Sequence, residues 1–359
     1  MLGARGTVGH KAALYRSNLA CSLSQRVSAR LAFPSARSGA GGSTFAGTQK
    51  FLRKSSVCDR AALLARAQPS DHVAVAEEAV QAAAKVTLKY FRSLLEVETK
   101  GDDSPVTVAD REAEEAIRQV LRTNCPDHAI LGEESGFDWP GQSGHAEYLW
   151  VIDPIDGTKS FITGKPLWGT LLALLHKGEP VLGIIDQPYT KERWVGVKGQ
   201  PTTLNGKELR TKQTKELMAA YLYATSPHMF EEEPCKSAWE RLRAGVKIPM
   251  YGCDCYAYGL LAAGHADLVA ECDMKPYDYL AHVPIIQGAG GIITDWKGGS
   301  LKWQMLPSGV WLDTGMPGEV LAAANPELHA SALEAMKFEP EGIDEDAMVS
   351  YGSVSGPGN

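Results

Sequence analysis

The twelve residues from Trp150 to Phe161, WVIDPIDGTKSF, constrain this chain more than any other stretch. Tyr148 to Ile152 is apolar, aromatic and β-branched, the pattern of a short buried strand, and Asp153, Pro154, Asp156 and Gly157 end it abruptly. Two acids therefore leave the sheet together. Pro154 fixes one backbone angle between them and Gly157 lets the backbone approach a ligand closely, so Asp153 and Asp156 can address one small volume. Like charges held that close repel. A structural turn gains nothing from the repulsion, whereas a hard divalent cation removes it. Taken alone, the stretch also reads as a turn whose acids are solvated or cap the residues from Thr158 onward.

Neighbouring motifs separate those readings. Asp153 to Thr158, with Gly132-Glu-Glu-Ser135 upstream and Tyr277-Asp278 followed by Gly288-Ala-Gly-Gly291 downstream, resembles the inositol monophosphatase family of Mg-dependent phosphatases. The longer run Asp153 to Thr170 is similar to the histidinol-phosphate phosphatase branch of bacteria and plants. The likeness holds in motif order and spacing over about residues 70 to 335. It implies a layered α/β fold, an α-β-α-β-α sandwich with mixed and antiparallel sheets. It further implies two or three Mg2+ ions, a small phosphorylated metabolite as substrate, and a homodimer.

The resemblance carries residue roles with it. Glu133, Asp153, Asp156 and Asp278, with the carbonyl of Ile155, match the family's metal ligands, and a set of oxygens without His or Cys selects Mg2+ over Zn2+. Asp110, ending the Val106-Thr-Val-Ala-Asp110 motif, would orient the attacking water with Thr158 hydrogen-bonded to it. By itself Asp110 is also an acid that complements the start of a helix. Backbone N–H groups around Gly157 and Thr158 would hold the phosphate. Glu271 matches the family's contact to the alcohol portion of the substrate, and Asp254 beside it would add negative charge there. Opposite charge favours an alcohol bearing an ammonium and an imidazole over a neutral polyol. Asp254 and Asp278 each precede a helical run, so capping is the plain alternative for both. Lys100 lies near a loop lysine of the family, in a loop one residue shorter.

The implied reaction is hydrolysis of L-histidinol phosphate without a phospho-enzyme. An inositol or sugar phosphate phosphatase with the same metal site is one alternative, and a phosphatase-like binding subunit without turnover is another.

Composition sets the outer limits. With 44% hydrophobic and 22% charged residues the chain can bury a sizeable core, and no apolar run approaches the roughly 18 residues of a membrane helix. A soluble protein with no membrane partner is expected. Residues 1 to 58 hold nine Lys or Arg and no Asp or Glu amid Ser, Ala and Gly, the composition of an organelle transit peptide. Its Ser content and the plant-like resemblance favour the chloroplast over the mitochondrion. The rest carries 27 basic and 43 acidic residues, a net of −16, which argues against nucleic acid as a partner. The organisation expected is a transit peptide over 1–68, a phosphatase domain over 69–337 and a disordered acidic, Gly- and Ser-rich tail over 338–359. Seven Cys without a CxxC, and with Cys253-Asp-Cys255 lacking zinc-knuckle spacing, read as reduced thiols in a reducing compartment.

Periodicity predicts a helix over about 71–95 that buries Val73, Val80, Ala84, Leu88, Phe91 and Leu95, then a second after Asp110 that buries Ile117, Val120 and Leu121. Residues 136–147 read as a surface loop. Gly169 to Leu175, Val181 to Ile185 and Trp194 to Val197 read as an antiparallel meander. Strands near 248–251, 267–271, 291–296 and 320–324 interleave with helices near 255–263, 278–287 and from 326, an alternation that calls for layers.

Overall fold

The computed structural model describes residues 69–94, 97–99, 105–140, 146–305, 311–312 and 318–337. The predicted transit peptide, the predicted tail and Lys100 lie outside them. Helix α1 (Pro69–Tyr90) has Pro at its first position, Asp71 in its first turn and Lys89 in its last, each suited to the end it occupies. It stops short of the predicted 95 because Arg92 is left-handed, at φ 61°. Its buried stripe is Val75, Ala76, Ala79, Val80, Ala83 and Thr87: Val80, and Phe91 just after the helix, are buried as predicted, whereas Val73 and Ala84 are half-buried, Leu88 is 44% exposed and Leu95 lies outside the described residues. Small alanines let α1 close on α2 (Val108–Asn124), and that close approach outweighs burying the larger Leu88. Ile117 and Leu121 of α2 are fully buried, while Val120 is half-buried.

A hairpin, β1 (Val97–Thr99) with β2 (Pro105–Thr107), leads into α2. The large sheet then comprises β3 (Ala129–Gly132), β4 (Gly136–Asp138), β5 (Tyr148–Asp156), β6 (Gly169–His176), β7 (Glu179–Gln187), β8 (Glu192–Val197), β9 (Thr203–Leu204) and β10 (Lys207–Glu208), in the order 10-9-8-7-6-5-3-4. The predicted meander is its centre: β5 to β8 run antiparallel to one another, and β3 joins β5 in parallel. The stretch read as a loop from 136 supplies the edge strand β4, antiparallel to β3. α1 and α2 cover the outer face, over a core that includes Trp150, Ile152, Leu172, Leu174 and Leu182.

The second sheet is mixed: β11 (Tyr221–Ala224) pairs in parallel with β12 (Ile248–Tyr251) and β13 (Leu268–Glu271), while β17 (Val320–Ala323) lies antiparallel between β13 and β14 (Ile292–Thr294). A small hairpin, β15 (Gln304–Met305) with β16 (Trp311–Leu312), stands apart. Between the sheets run α5 (Cys255–Ala262), α6 (Pro276–Tyr279) and α7 (His282–Gly288), after the short α3 (Thr158–Ile162) that follows β5. On the far face lie α4 (Cys235–Gly245) and α8 (Pro326–Met336). The result is the predicted α-β-α-β-α sandwich. A disulfide joins Cys235 of α4 to Cys272 after β13, which corrects the expectation of reduced thiols throughout; Cys125, Cys253 and Cys255 are free and buried. Among the described residues no helix is long and apolar enough to cross a membrane.

Candidate active site

β5 carries its apolar run to the point where the ladder with β6 breaks, between Asp153 and Asp156. Two bonds fix the departure: Asp153 Oδ1 accepts from Ile155 N at 3.0 Å, and Thr170 Oγ1 of β6 donates to Pro154 O at 2.9 Å. Gly157 then turns the chain at φ 84°. A Cβ there would lie 2.9 Å from both Asp254 Oδ2 and Leu167 O, so only glycine fits. Thr158 opens α3.

Carboxylate oxygens of Asp153, Asp156 and Asp278 lie within 4.8 Å of one another. The parallel register of β3 on β5 brings Glu133 to the same place, its N–H donating to Ile152 O at 3.1 Å. Burial, then the neighbouring Glu133, Asp156 and Asp278, push Asp153 far above the usual carboxylate range. Asp156 is pushed up by burial, then by Asp254 and Asp278, and burial lifts Asp278 to about 8. Acids crowded this way favour their neutral forms unless a cation joins them. Oxygen donors alone, at this spacing, suit a hard divalent ion such as Mg2+. The carbonyl of Ile155, the fifth predicted ligand, lies on the same turn and accepts from Thr158 Oγ1 at 3.2 Å.

Further acids surround the cluster. Asp110 is buried at the start of α2, where its Oδ2 accepts from Thr107 N at 2.8 Å and Thr107 Oγ1 at 2.6 Å in a capping box. Burial raises its pKa, and nearby Glu133 adds to the rise. The predicted hydrogen bond between Thr158 and Asp110 is therefore not the one formed: each side chain is engaged by its own turn. Asp278 caps through Lys275 N, at 2.7 Å, and so serves α6 rather than a helix that starts at 278. Asp254 precedes α5 but makes no capping bond with its side chain. Its Oδ2 accepts instead from Ser160 Oγ at 3.2 Å, while Asp156 Oδ2 takes the Cys255 N–H at 2.5 Å. Glu271 is 1% exposed, with Oε1 accepting from Thr225 N and Oγ1 and Oε2 from Tyr258 Oη.

Glu133, Asp156, Gly157, Thr158, Asp254, Glu271 and Asp278 line one cavity of about 310 Å3. A larger groove of about 580 Å3, between α1 and the β7–β8 region, contains none of the predicted site residues. Support that the sequence did not reveal comes from a buried ion pair, Arg118 Nε to Glu114 Oε1 at 2.8 Å. Glu114 also accepts the N–H groups of Glu134 and Ser135, at 2.8 and 3.0 Å, and so fixes the loop that presents Glu133. The i,i+4 spacing of Glu114 and Arg118 was the available signal. Thr107 and Ser160, which hold Asp110 and Asp254, gave none.

Residues 68–341 match the inositol monophosphatase family. The bifunctional phosphatase IMPL2, chloroplastic, of Arabidopsis thaliana is 51% identical over 265 residues, 74% of this chain and 75% of that protein. A histidinol-phosphatase of Chlorobaculum parvum is 38% identical over 62% of this chain and 85% of its own. Among solved structures, an inositol monophosphatase from Zymomonas mobilis superposes with a TM-score of 0.65 at 42% identity, over 76% of this chain and all of that one.

Proposed function

The chain belongs to the inositol monophosphatase family of phosphatases, and we propose that within it this enzyme hydrolyses L-histidinol phosphate to L-histidinol and phosphate. One observation carries the choice of substrate. Beyond the acids that fit a metal, half-buried Asp254 and buried Glu271 present two more carboxylates to the same cavity. A neutral polyol leaves that surplus charge unanswered, whereas an ammonium answers it. Relatives named histidinol-phosphatase in Chlorobaculum parvum, Mycobacterium tuberculosis and Streptomyces coelicolor support the reading.

Glu133, Asp153, Asp156, Asp278 and the Ile155 carbonyl would hold two or three Mg2+ ions. When bound, Mg2+ supplies charge for the phosphate and leaving oxygens and lowers the pKa of water. The chain does the rest. The turn at Gly157 and the first amides of α3 hold phosphate oxygens. Thr158 and Asp110 orient the attacking water, which requires the Thr158 hydroxyl to leave Ile155 O. Asp254, held by Ser160, and Glu271, held by Thr225 and Tyr258, receive the alcohol portion. No side chain acts as nucleophile, so no phospho-enzyme forms. The acid-free leader and the chloroplastic name of the Arabidopsis relative support a plastid location.

Expression in a bacterial histidine auxotroph that lacks histidinol phosphatase tests the proposal. The chain is expected to restore growth without histidine, and Asp153→Asn is expected not to. Failure of the wild-type chain, soluble and active on another phosphate ester, would transfer the assignment to an inositol or sugar phosphate phosphatase, the reading that the Zymomonas mobilis likeness favours.

A further inference from the structure

His282 lies one helical turn after Asp278, at the start of α7, fully buried and lining the same cavity as Glu271 and Tyr258. Burial lowers its pKa to about 3, so the ring is neutral; the Asp278 carbonyl is close enough to temper that shift. Neither ring nitrogen, however, makes a hydrogen bond within the described residues. A buried polar group left unpaired costs about 1–3 kcal/mol, and the Asp278 carbonyl, close to the ring but outside hydrogen-bond geometry, does not offset it. What the ring does contact is Tyr258. The two rings stack with centroids 3.9 Å apart and planes 13° from parallel. Tyr258 in turn donates to Glu271 Oε2 at 2.8 Å, opposite the two donors that Thr225 directs at Oε1. Tyr258 is fully buried with the His282 ring stacked on it, and a tilt of the Tyr258 ring would carry the hydroxyl away from Glu271.

We propose that His282 is a positioning residue for substrate choice: its ring face holds Tyr258 so that Glu271 keeps the orientation in which it receives the cationic alcohol. The inference rests on the histidinol-phosphate reading. It assigns the contribution of His282 to the flat face of the ring, not to its nitrogens, so a phenylalanine should replace it and an aliphatic residue should not.

The test uses full-length enzyme with saturating Mg2+ and two substrates, L-histidinol phosphate and the neutral-alcohol ester inositol 1-phosphate. His282→Ala is expected to raise KM for histidinol phosphate about tenfold, the loss of one hydrogen bond to a charged group, with kcat within about twofold. KM for inositol 1-phosphate should stay within about twofold. His282→Phe should restore the wild-type KM, and Tyr258→Phe should reproduce the alanine effect. Should the alanine variant not fold, His282→Leu and Tyr258→Phe carry the same comparison. Equal losses on both substrates, a fall in kcat alone, or failure of His282→Phe to rescue would overturn the inference. A wild-type preference for histidinol phosphate that survives in His282→Ala would overturn it alone; absence of that preference in the wild type overturns the substrate reading itself.

Discussion

Metal-free enzyme should lose stability as pH rises, against the usual trend for carboxylates. Asp278 has a folded pKa of about 8, against an ordinary 3.8, because burial penalises its charged form. Between those values the folded chain keeps a proton that the unfolded chain has released. Stability from this group is therefore full below about pH 4 and declines as pH climbs through 8, with a slope of about 1.4 kcal/mol per pH unit. From pH 6 to 8, allowing for partial titration near 8, the loss is about 2 kcal/mol from Asp278. Asp153 and Asp156 are pushed in the same direction and add to it. For a domain of this size the Asp278 share alone is a fall in Tm of about 3–5 °C. Melting curves by circular dichroism at pH 6, 7 and 8, in EDTA and in saturating Mg2+, read it directly. The decline should appear in EDTA and vanish in Mg2+, and Asp278→Asn should lessen the decline, leaving the part due to Asp153 and Asp156, and weaken the Mg2+ response. A Tm in EDTA that is level or rises from pH 6 to 8 would refute the argument that these acids form one crowded cluster.

Three further outcomes follow from the same geometry. Asp254→Asn should raise KM for histidinol phosphate about tenfold while changing turnover of inositol 1-phosphate little, read from initial rates on both substrates. Arg118→Met leaves Glu114 charged and buried without its partner, so it should cost about 3–5 kcal/mol in urea unfolding and weaken Mg2+ binding through the Glu133 loop. At acid pH, His128 and His282 are held neutral by burial, each with its pKa lowered to about 3. The unfolded chain binds protons there first, so in saturating Mg2+, which removes the opposing trend of the crowded acids, urea midpoints should fall as pH drops below about 6.5, at up to about 1.4 kcal/mol per pH unit for each histidine.

The sequence was legible where cause and effect sit close together in the chain. β5 could be read because its apolar run and the acids that end it are adjacent, and the meander from β6 to β8 because turns and alternation are local signals. The stripe on α1 was misread since periodicity reports spacing alone, and the face that closes on α2 was chosen by small side chains. β4 was hidden by its length, three residues that become a strand only beside β3. In the site, the acids could be named, but their supports could not. Glu114 reaches residues 134 and 135, and Ser160 reaches Asp254, only after α2 and α5 have docked on the large sheet. The Cys235–Cys272 disulfide was obscured in the same way, its partners being 37 residues apart and brought together by the second sheet and its outer helix.

The specificity ratio tests the central claim most directly: kcat/KM of the full-length enzyme for L-histidinol phosphate divided by that for inositol 1-phosphate, measured as phosphate release in Mg2+ and again in EDTA. Two cavity-lining carboxylates facing an ammonium predict a ratio of at least about a hundred in Mg2+, and no release of either product in EDTA. A ratio near one, or one that favours inositol 1-phosphate, would contradict the role given to Asp254 and Glu271, and undiminished release in EDTA would contradict the metal site itself.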